Sequence, residues 1–304
     1  MINEINIIGS GKSKFRILSL DQVLMTPEQI IEHEREEERK KNEQRNTGKP
    51  PTTPKKPSTP SQNAIVPGEV KIYDGRNVDK APEILNAGKI IAPFFYIAQN
   101  RISAKSKKDI GLWVDKWFDV SDLILYNDKD HSEDIKIVLA YDAKYNLTPA
   151  GKTCLEMINP AQTLVNGGVN ISGLYSDVDG DGVISTTRSE LAKVLEDGLT
   201  KVQAKDSKLW KMLLRHPDEV AAEFAVPGLH EEYINWVYSA YGSRFAKEKK
   251  LMGVYLASPK DVPHLREWFV NMLEYRSDAI GWNYLDNDYG RFAGISARGA
   301  GQKK

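Results

Sequence analysis

Nine consecutive residues in the middle of the chain, Asp177-Val178-Asp179-Gly180-Asp181-Gly182-Val183-Ile184-Ser185, carry its most specific chemistry. A hard cation such as Ca2+ takes six to eight oxygen ligands, and carboxylates at alternate positions of a tight loop converge on one point. Asp177, Asp179 and Asp181 supply those carboxylates. Gly182 permits the sharp turn, the backbone carbonyl of Val183 follows, and Ser185 ligates directly or through water. Ile184 is placed to anchor the loop in a core.

This stretch resembles the calcium loop of EF-hands and dockerins, and the resemblance is confined to residues 177–185. It implies bound Ca2+ held by Asp177, Asp179, Asp181, Val183 and Ser185. Two departures matter. The position that holds a bidentate glutamate in an EF-hand is Arg188, with Glu190 two residues late, and the preceding NGGVNISGLYS is a poor helix former. A helix does follow, opened by Thr187 and Glu190 as a capping box. A lone loop of this kind acts as a structural clip, since sensing needs a pair of helices that opens.

Other chemistry-bearing residues read more plainly. Gly9-Ser10-Gly11-Lys12-Ser13 and Gly151-Lys152-Thr153 imitate phosphate loops but carry Asn6 and Asn146 where the first glycine belongs. They are a basic turn and a helix start. The histidines, His33, His131, His216, His230 and His264, show no metal-type spacing. Cys154 reads as a small apolar filler, and Asp286-Asn287-Asp288 as a turn. No serine nucleophile elbow or cofactor motif is present, so no catalytic or cofactor-binding residues are assigned and the sequence leans away from an enzyme.

The elements that must position these residues fall into five segments. Residues 1–44 form an arm with a charged helix opened by Thr26 and Pro27. Residues 45–68 are a proline-rich linker, with Pro50, Pro51, Pro54, Pro57, Pro60 and Pro67 favouring polyproline II. Residues 69–176 form an α/β part. It has a strand at Val70–Tyr73, a short helix at Pro82–Ala87, and an apolar run at Ile90–Ile102. An amphipathic helix then buries Trp113 and Trp117, antiparallel strands cover Leu123–Tyr126 and Ile135–Tyr141, and a helix starts at Thr148. Residues 177–290 hold the calcium loop and a helical part, with helices expected over Leu209–Leu214, Val220–Phe224, Leu229–Tyr241, Arg244–Leu256 and Pro259–Ile280. Residues 291–304 read as a flexible basic tail. The fold class is α+β: a small, mostly antiparallel sheet with helices, then a helical region, preceded by an extended arm.

Composition bounds the function. Forty-two basic and 42 acidic residues cancel, which argues against nucleic acid as the main partner. The N-terminus has no secretory pattern and no apolar run is long enough to span a bilayer, so the expected place is the cytoplasm or a particle assembled there, with no membrane partner. A sticky segment, a charged helix and a proline spacer suit a tether. The expected function is therefore a non-enzymatic structural or assembly protein of a virion-like or other multi-subunit complex, docking on protein subunits through residues 1–44 and stiffened by Ca2+. A metal-assisted hydrolase of nucleic acid or phosphoester centred on Asp177, Asp179 and Asp181, and an intracellular adaptor for a host protein, are the alternatives.

Overall fold

The computed structural model describes residues 67–191, 198–241, 250–273 and 276–297, all within the unit Ser61–Lys304. The arm, and the linker up to residue 66, lie outside the described residues. The body begins with strand β1 (Pro67–Asp74) and helix α1 (Asn77–Asn86). The apolar run that follows divides into β2 (Ile90–Ile91) and α2 (Phe94–Ser103) at Pro93, which sits at the N-cap of α2 in an extended conformation. Strand β3 (Phe118–Tyr126) and β4 (Asp134–Val138) pair antiparallel as expected, with Leu123 opposite Val138. Helix α3 (Pro149–Met157) starts where Thr148 accepts from the Gly151 amide at 2.9 Å. That places Gly151-Lys152-Thr153 inside a capped helix.

Short strands β5 (Leu164–Val165), β6 (Gly168–Asn170) and β7 (Val183–Thr187) occupy the glycine-rich middle and the end of the acidic loop. Helices α4 (Lys208–Leu213) and α5 (Leu229–Trp236) follow. The chain then returns to β structure: β8 (Val254–Tyr255), β9 (His264–Val270), β10 (Ala279–Ile280) and β11 (Arg291–Ala297). One sheet has the order β1-β11-β2, and the larger has β5-β6-β9-β3-β4-β7, with β10 bridging β9 and β8. The class is α+β with mainly antiparallel sheets.

Four expectations for the second half are corrected. The helix expected over Pro259–Ile280 is β9 and β10, and the C-terminal end of the one expected over Arg244–Leu256 is β8, with residues 242–249 outside the described set. The helix expected over Val220–Phe224 is instead a bend followed by a turn at 222–224. The flexible tail expected over 291–304 begins with β11, a central strand whose Phe292, Ala293 and Ile295 are buried. The reason is common to β9 and β11. Consecutive residues of each strand, which point to opposite faces of the sheet, are buried, so neither shows the simple polar-apolar alternation of a half-solvated strand. In β11 the small residues are needed for close approach: a Cβ on Gly294 would lie 2.6 Å from the Tyr73 ring.

The core joins both halves of the body. Phe94, Phe118 and Ile124 pack with Trp210, Tyr233 and Trp268 in one cluster, while Tyr73, Ile84, Leu123 and Cys154 pack with Leu265, Leu285 and Phe292 in another. Cys154 is the small core residue expected, its thiol pushed up to about 12 by burial. No helix among the described residues is long and apolar enough to cross a membrane.

Candidate functional site

The first turn after β10 leads into a loop, residues 281–290, whose backbone is held from outside itself. The Tyr126 hydroxyl donates to the Gly281 carbonyl at 2.9 Å, and the Gly281 amide donates to the Tyr255 carbonyl at 2.8 Å. Arg266 Nη1 donates to the carbonyls of Trp282 and Asn283 at 3.1 and 2.6 Å. Leu285, fully buried, donates its amide to the Gly167 carbonyl at 2.8 Å and accepts from the Val78 amide at 3.0 Å. The Gly75 amide reaches the Gly290 carbonyl at 2.9 Å, and Trp117 Nε1 reaches the Tyr289 carbonyl at 3.1 Å. Gly167 has φ +79°, and a Cβ there would meet Tyr284 at 2.3 Å, so only glycine lets the loop seat this closely.

With its backbone fixed, the loop presents side chains outward. Trp282, Tyr284 and Tyr289 are 43%, 45% and 76% exposed, an unusual amount of aromatic surface in so short a stretch. Together with Trp117, Phe269 and three asparagines, Asn271, Asn283 and Asn287, they line a cleft of ≈ 200 Å³. That volume admits one side chain, not a drug-sized ligand. Trp282 and Tyr284 meet edge-to-face with centroids 6.3 Å apart, and the Arg266 guanidinium lies 5.4 Å from the Tyr284 centroid. Rigid aromatics with adaptable amides are the contact chemistry of protein-binding paratopes.

Asp119, on β3, closes the floor of the cleft and is 1% exposed. It accepts from the Arg291 amide at 2.7 Å and from the Asn283 side-chain amide. Behind it lies Glu267 of β9, fully buried, whose Oε2 accepts from Asn77 Nδ2 at 2.6 Å. Burial pushes the Asp119 carboxyl up to about 7, against the pull of the Arg291 amide and Asn77. Burial first, and then the charge of Asp119, raise Glu267 well above the usual carboxylate range. The other buried acids have fixed cations: Asp122 meets Arg215 at 2.7 Å, with both side chains fully buried, and Asp278 meets Arg276 at 3.4 Å. Among the described residues, Asp119 and Glu267 have no such ion pair.

The structure places the acidic loop elsewhere, between the turn after β6 and the start of β7. Asp177, Asp179 and Asp181 are all exposed, Val178 is buried, and Gly180 and Gly182 have φ of +97° and +83°. The sharp turn expected at Gly182 is present: its carbonyl accepts from the Leu139 amide at 2.7 Å, and a Cβ would lie 2.7 Å from the Leu139 oxygen. Val183 and Ser185 are in β7, opposite Val138 and Lys136. The Lys136 ammonium donates to the carbonyls of Val178 and Tyr175 at 2.7 and 2.9 Å and lies 5.0 Å from the Tyr175 centroid. A positive charge of the chain itself thus stands at the backbone oxygens beside the aspartates. Among the described residues no three His, Cys, Asp or Glu side chains are grouped to hold a metal ion. Glu190 and Thr187 form the expected cap, and Glu190 also binds Lys208 at 2.7 Å.

Sequence reasoning assigned Trp117 to the core and read Asp286-Asn287-Asp288 as a turn. The turn is present, with the Tyr289 amide on Asn287 Oδ1 at 3.1 Å, but Trp117 lines the cleft. The local signal for the cleft was the density of Trp, Tyr, Asn and Gly in GWNYLDNDYG. Asp119, buried in an apolar strand, gave none.

No protein-family model matches the chain, and no curated relative matches it. Among solved structures it is similar to one reported as "Accommodation of massive sequence variation in Nanoarchaeota by the C-type lectin fold", with TM-score 0.51 and 14% identity, covering 78% of this chain and 100% of that one. The likeness is one of fold: the body has the C-type lectin fold.

Proposed function

We propose that the chain is a non-enzymatic binding protein that contacts a partner protein through the cleft bounded by Trp117, Asp119 and the loop 281–290. The observation that carries this reading is the division of labour in that loop. Its backbone is latched by Arg266, Tyr126, Val78 and Gly167, while Trp282, Asn287 and Tyr289 face solvent. A surface so built changes its contacts without changing its frame. The similar structure is described as a lectin fold that accommodates massive sequence variation, and the same use of the fold suits this loop. Residues 1–44 then serve as the tether that attaches the binding body to other subunits of an assembly, in a virion-like particle or another complex.

Calcium at Asp177, Asp179, Asp181, Val183 and Ser185 is a separate proposal, supported by the left-handed Gly182 turn and opposed by Lys136, with which an ion must compete for position. The hydrolase alternative draws no support from three exposed carboxylates on a turn.

Panning a displayed peptide library on the full chain, with a Trp282→Ala/Tyr289→Ala variant as counter-bait, tests the proposal. Peptides that bind the natural chain and lose binding to the variant are expected. Enrichment that ignores the double substitution, or none at all, places the function elsewhere.

A further inference from the structure

A buried carboxylate is costly unless a cation or several hydrogen-bond donors compensate it. The fold meets this requirement at Asp122 with Arg215 and at Asp278 with Arg276. It does not do so at the floor of the cleft. Asp119 is met only by neutral donors, the Asn283 amide group and the Arg291 backbone amide foremost, with Asn77 adding its pull, and Glu267 behind it accepts from Asn77 alone, leaving Oε1 without a hydrogen-bond partner. Among the described residues, then, the two buried acids without a fixed cation are the two that sit at and behind the one aromatic-walled cleft described above.

What surrounds that floor is suited to one kind of visitor. The faces of Trp and Tyr attract cations through the ring quadrupole. Trp117, Trp282, Tyr284 and Tyr289 bring four such rings to the opening. The asparagines Asn271, Asn283 and Asn287 add amide oxygens in the same walls. A guanidinium is planar, stacks on aromatic faces, is weakly hydrated, and carries five N–H donors that need several acceptors at once. An ammonium is compact, strongly hydrated and offers three donors to fewer directions. The ≈ 200 Å³ of space accepts the end of one such side chain.

We infer that the cleft receives an arginine side chain projecting from the partner protein, its guanidinium stacked among Trp282, Tyr284 and Tyr289 and directed at Asp119. The inference rests on the cleft being the binding site and names what enters it.

The test titrates N-acetyl-arginine amide, N-acetyl-lysine amide and the neutral isostere N-acetyl-citrulline amide into the full chain, read from the indole N–H resonances of Trp117 and Trp282. The arginine derivative is expected to bind at least tenfold tighter than the citrulline derivative and tighter than the lysine one. Asp119→Asn is expected to erase most of the arginine-over-citrulline preference, and Tyr289→Ala, at an exposed position, to weaken the arginine derivative at least threefold. Equal affinity for arginine and citrulline, a preference for lysine, or full binding in Tyr289→Ala overturns the inference. So does an unchanged preference in a folded Asp119→Asn. Library peptides that bind through the cleft but lack arginine overturn the inference and leave the binding role standing. Failure to recover any cleft-dependent peptide removes the binding role itself.

Discussion

Arg266 on β9 holds Asn283 in the cleft loop through a hydrogen bond of 2.6 Å from Nη1 to the backbone oxygen. The same guanidinium bonds the carbonyls of Trp282 and Asn166, so one buried side chain ties two loops to the central strand of the larger sheet. Burial lowers its pKa from the usual arginine value, against the opposing pull of Tyr126, Tyr284 and Asp286, and among the described residues no carboxylate forms an ion pair with it. Its work is to satisfy backbone oxygens that would otherwise be buried without donors.

Arg266→Met is therefore expected to destabilise the body by about 2–4 kcal/mol, since each carbonyl left unsatisfied costs about 1–3 kcal/mol and part of that is recovered by water. Amide exchange in residues 281–290 is expected to accelerate more than in β3 or α3. Uniform acceleration across the body would mean that Arg266 supports the whole core and not the loop.

The rim behaves in the opposite way. Tyr289 is 76% exposed and Trp282 43% exposed, and substitutions at such surfaces usually change stability by about 0.5 kcal/mol or less. Trp282→Ala and Tyr289→Ala are expected to melt within a few degrees of the natural chain while losing the partner. A melting temperature that collapses in either variant would assign these rings to the fold.

Asp119 gives a pH signature with a definite sign. Its folded pKa, about 7, lies above the ordinary aspartate value of 3.8, so the folded chain binds a proton between those limits that the unfolded chain has released. The contribution of Asp119 to stability is full below pH ~4 and is lost as pH rises through about 7. Asp119→Asn removes that loss. Denaturant titrations from pH 4 to 7 should show the variant gaining on the natural chain as pH rises; a constant difference would mean that Asp119 does not titrate there. His230 works in the other direction, because burial holds its imidazole neutral and pushes it down to about 4, so its contribution is lost as pH falls from about 6.5 towards 4. The comparison with the variant removes this background and reports Asp119 together with Glu267, the carboxyl its charge raises.

Lys136 offers a direct test of the acidic loop. Replacing it with methionine removes two charge-assisted bonds, to the carbonyls of Val178 and Tyr175, each worth about 1.5–3 kcal/mol, and takes a positive charge away from the backbone between Asp177 and Asp179. Lys136→Met is expected to be less stable in chelator and to regain much of the loss in millimolar Ca2+, with a smaller calcium response in the natural chain. Insensitivity of the variant to Ca2+, or equal sensitivity with Asp179→Ala added, would end the calcium reading of residues 177–185.

The chain's local chemistry was legible without a structure wherever it was satisfied by near neighbours. Thr148 and Pro149 open α3, Gly182 makes its turn, and Ile135–Val138 pairs with Leu123–Tyr126, because caps, left-handed glycines and adjacent antiparallel strands are decided over a few residues. The calcium-like loop was visible for the same reason. Its local pattern could not disclose that Lys136, some forty residues earlier, delivers an ammonium to it. Nor could the sequence place β9, which lies inside the segment Pro259–Ile280 expected to be helical and carries the polar residues His264, Arg266 and Glu267. Their polarity is met at long range, Glu267 by Asn77, 190 residues away, and Arg266 by carbonyls of residues 166, 282 and 283. Asp119 likewise becomes the floor of a cleft only once β3, β9 and the 281–290 loop are assembled. Short-range patterns determined the turns, caps and neighbouring strands. The tertiary structure decided which polar groups are buried and who partners them, because that depends on residues brought together from opposite ends of the chain.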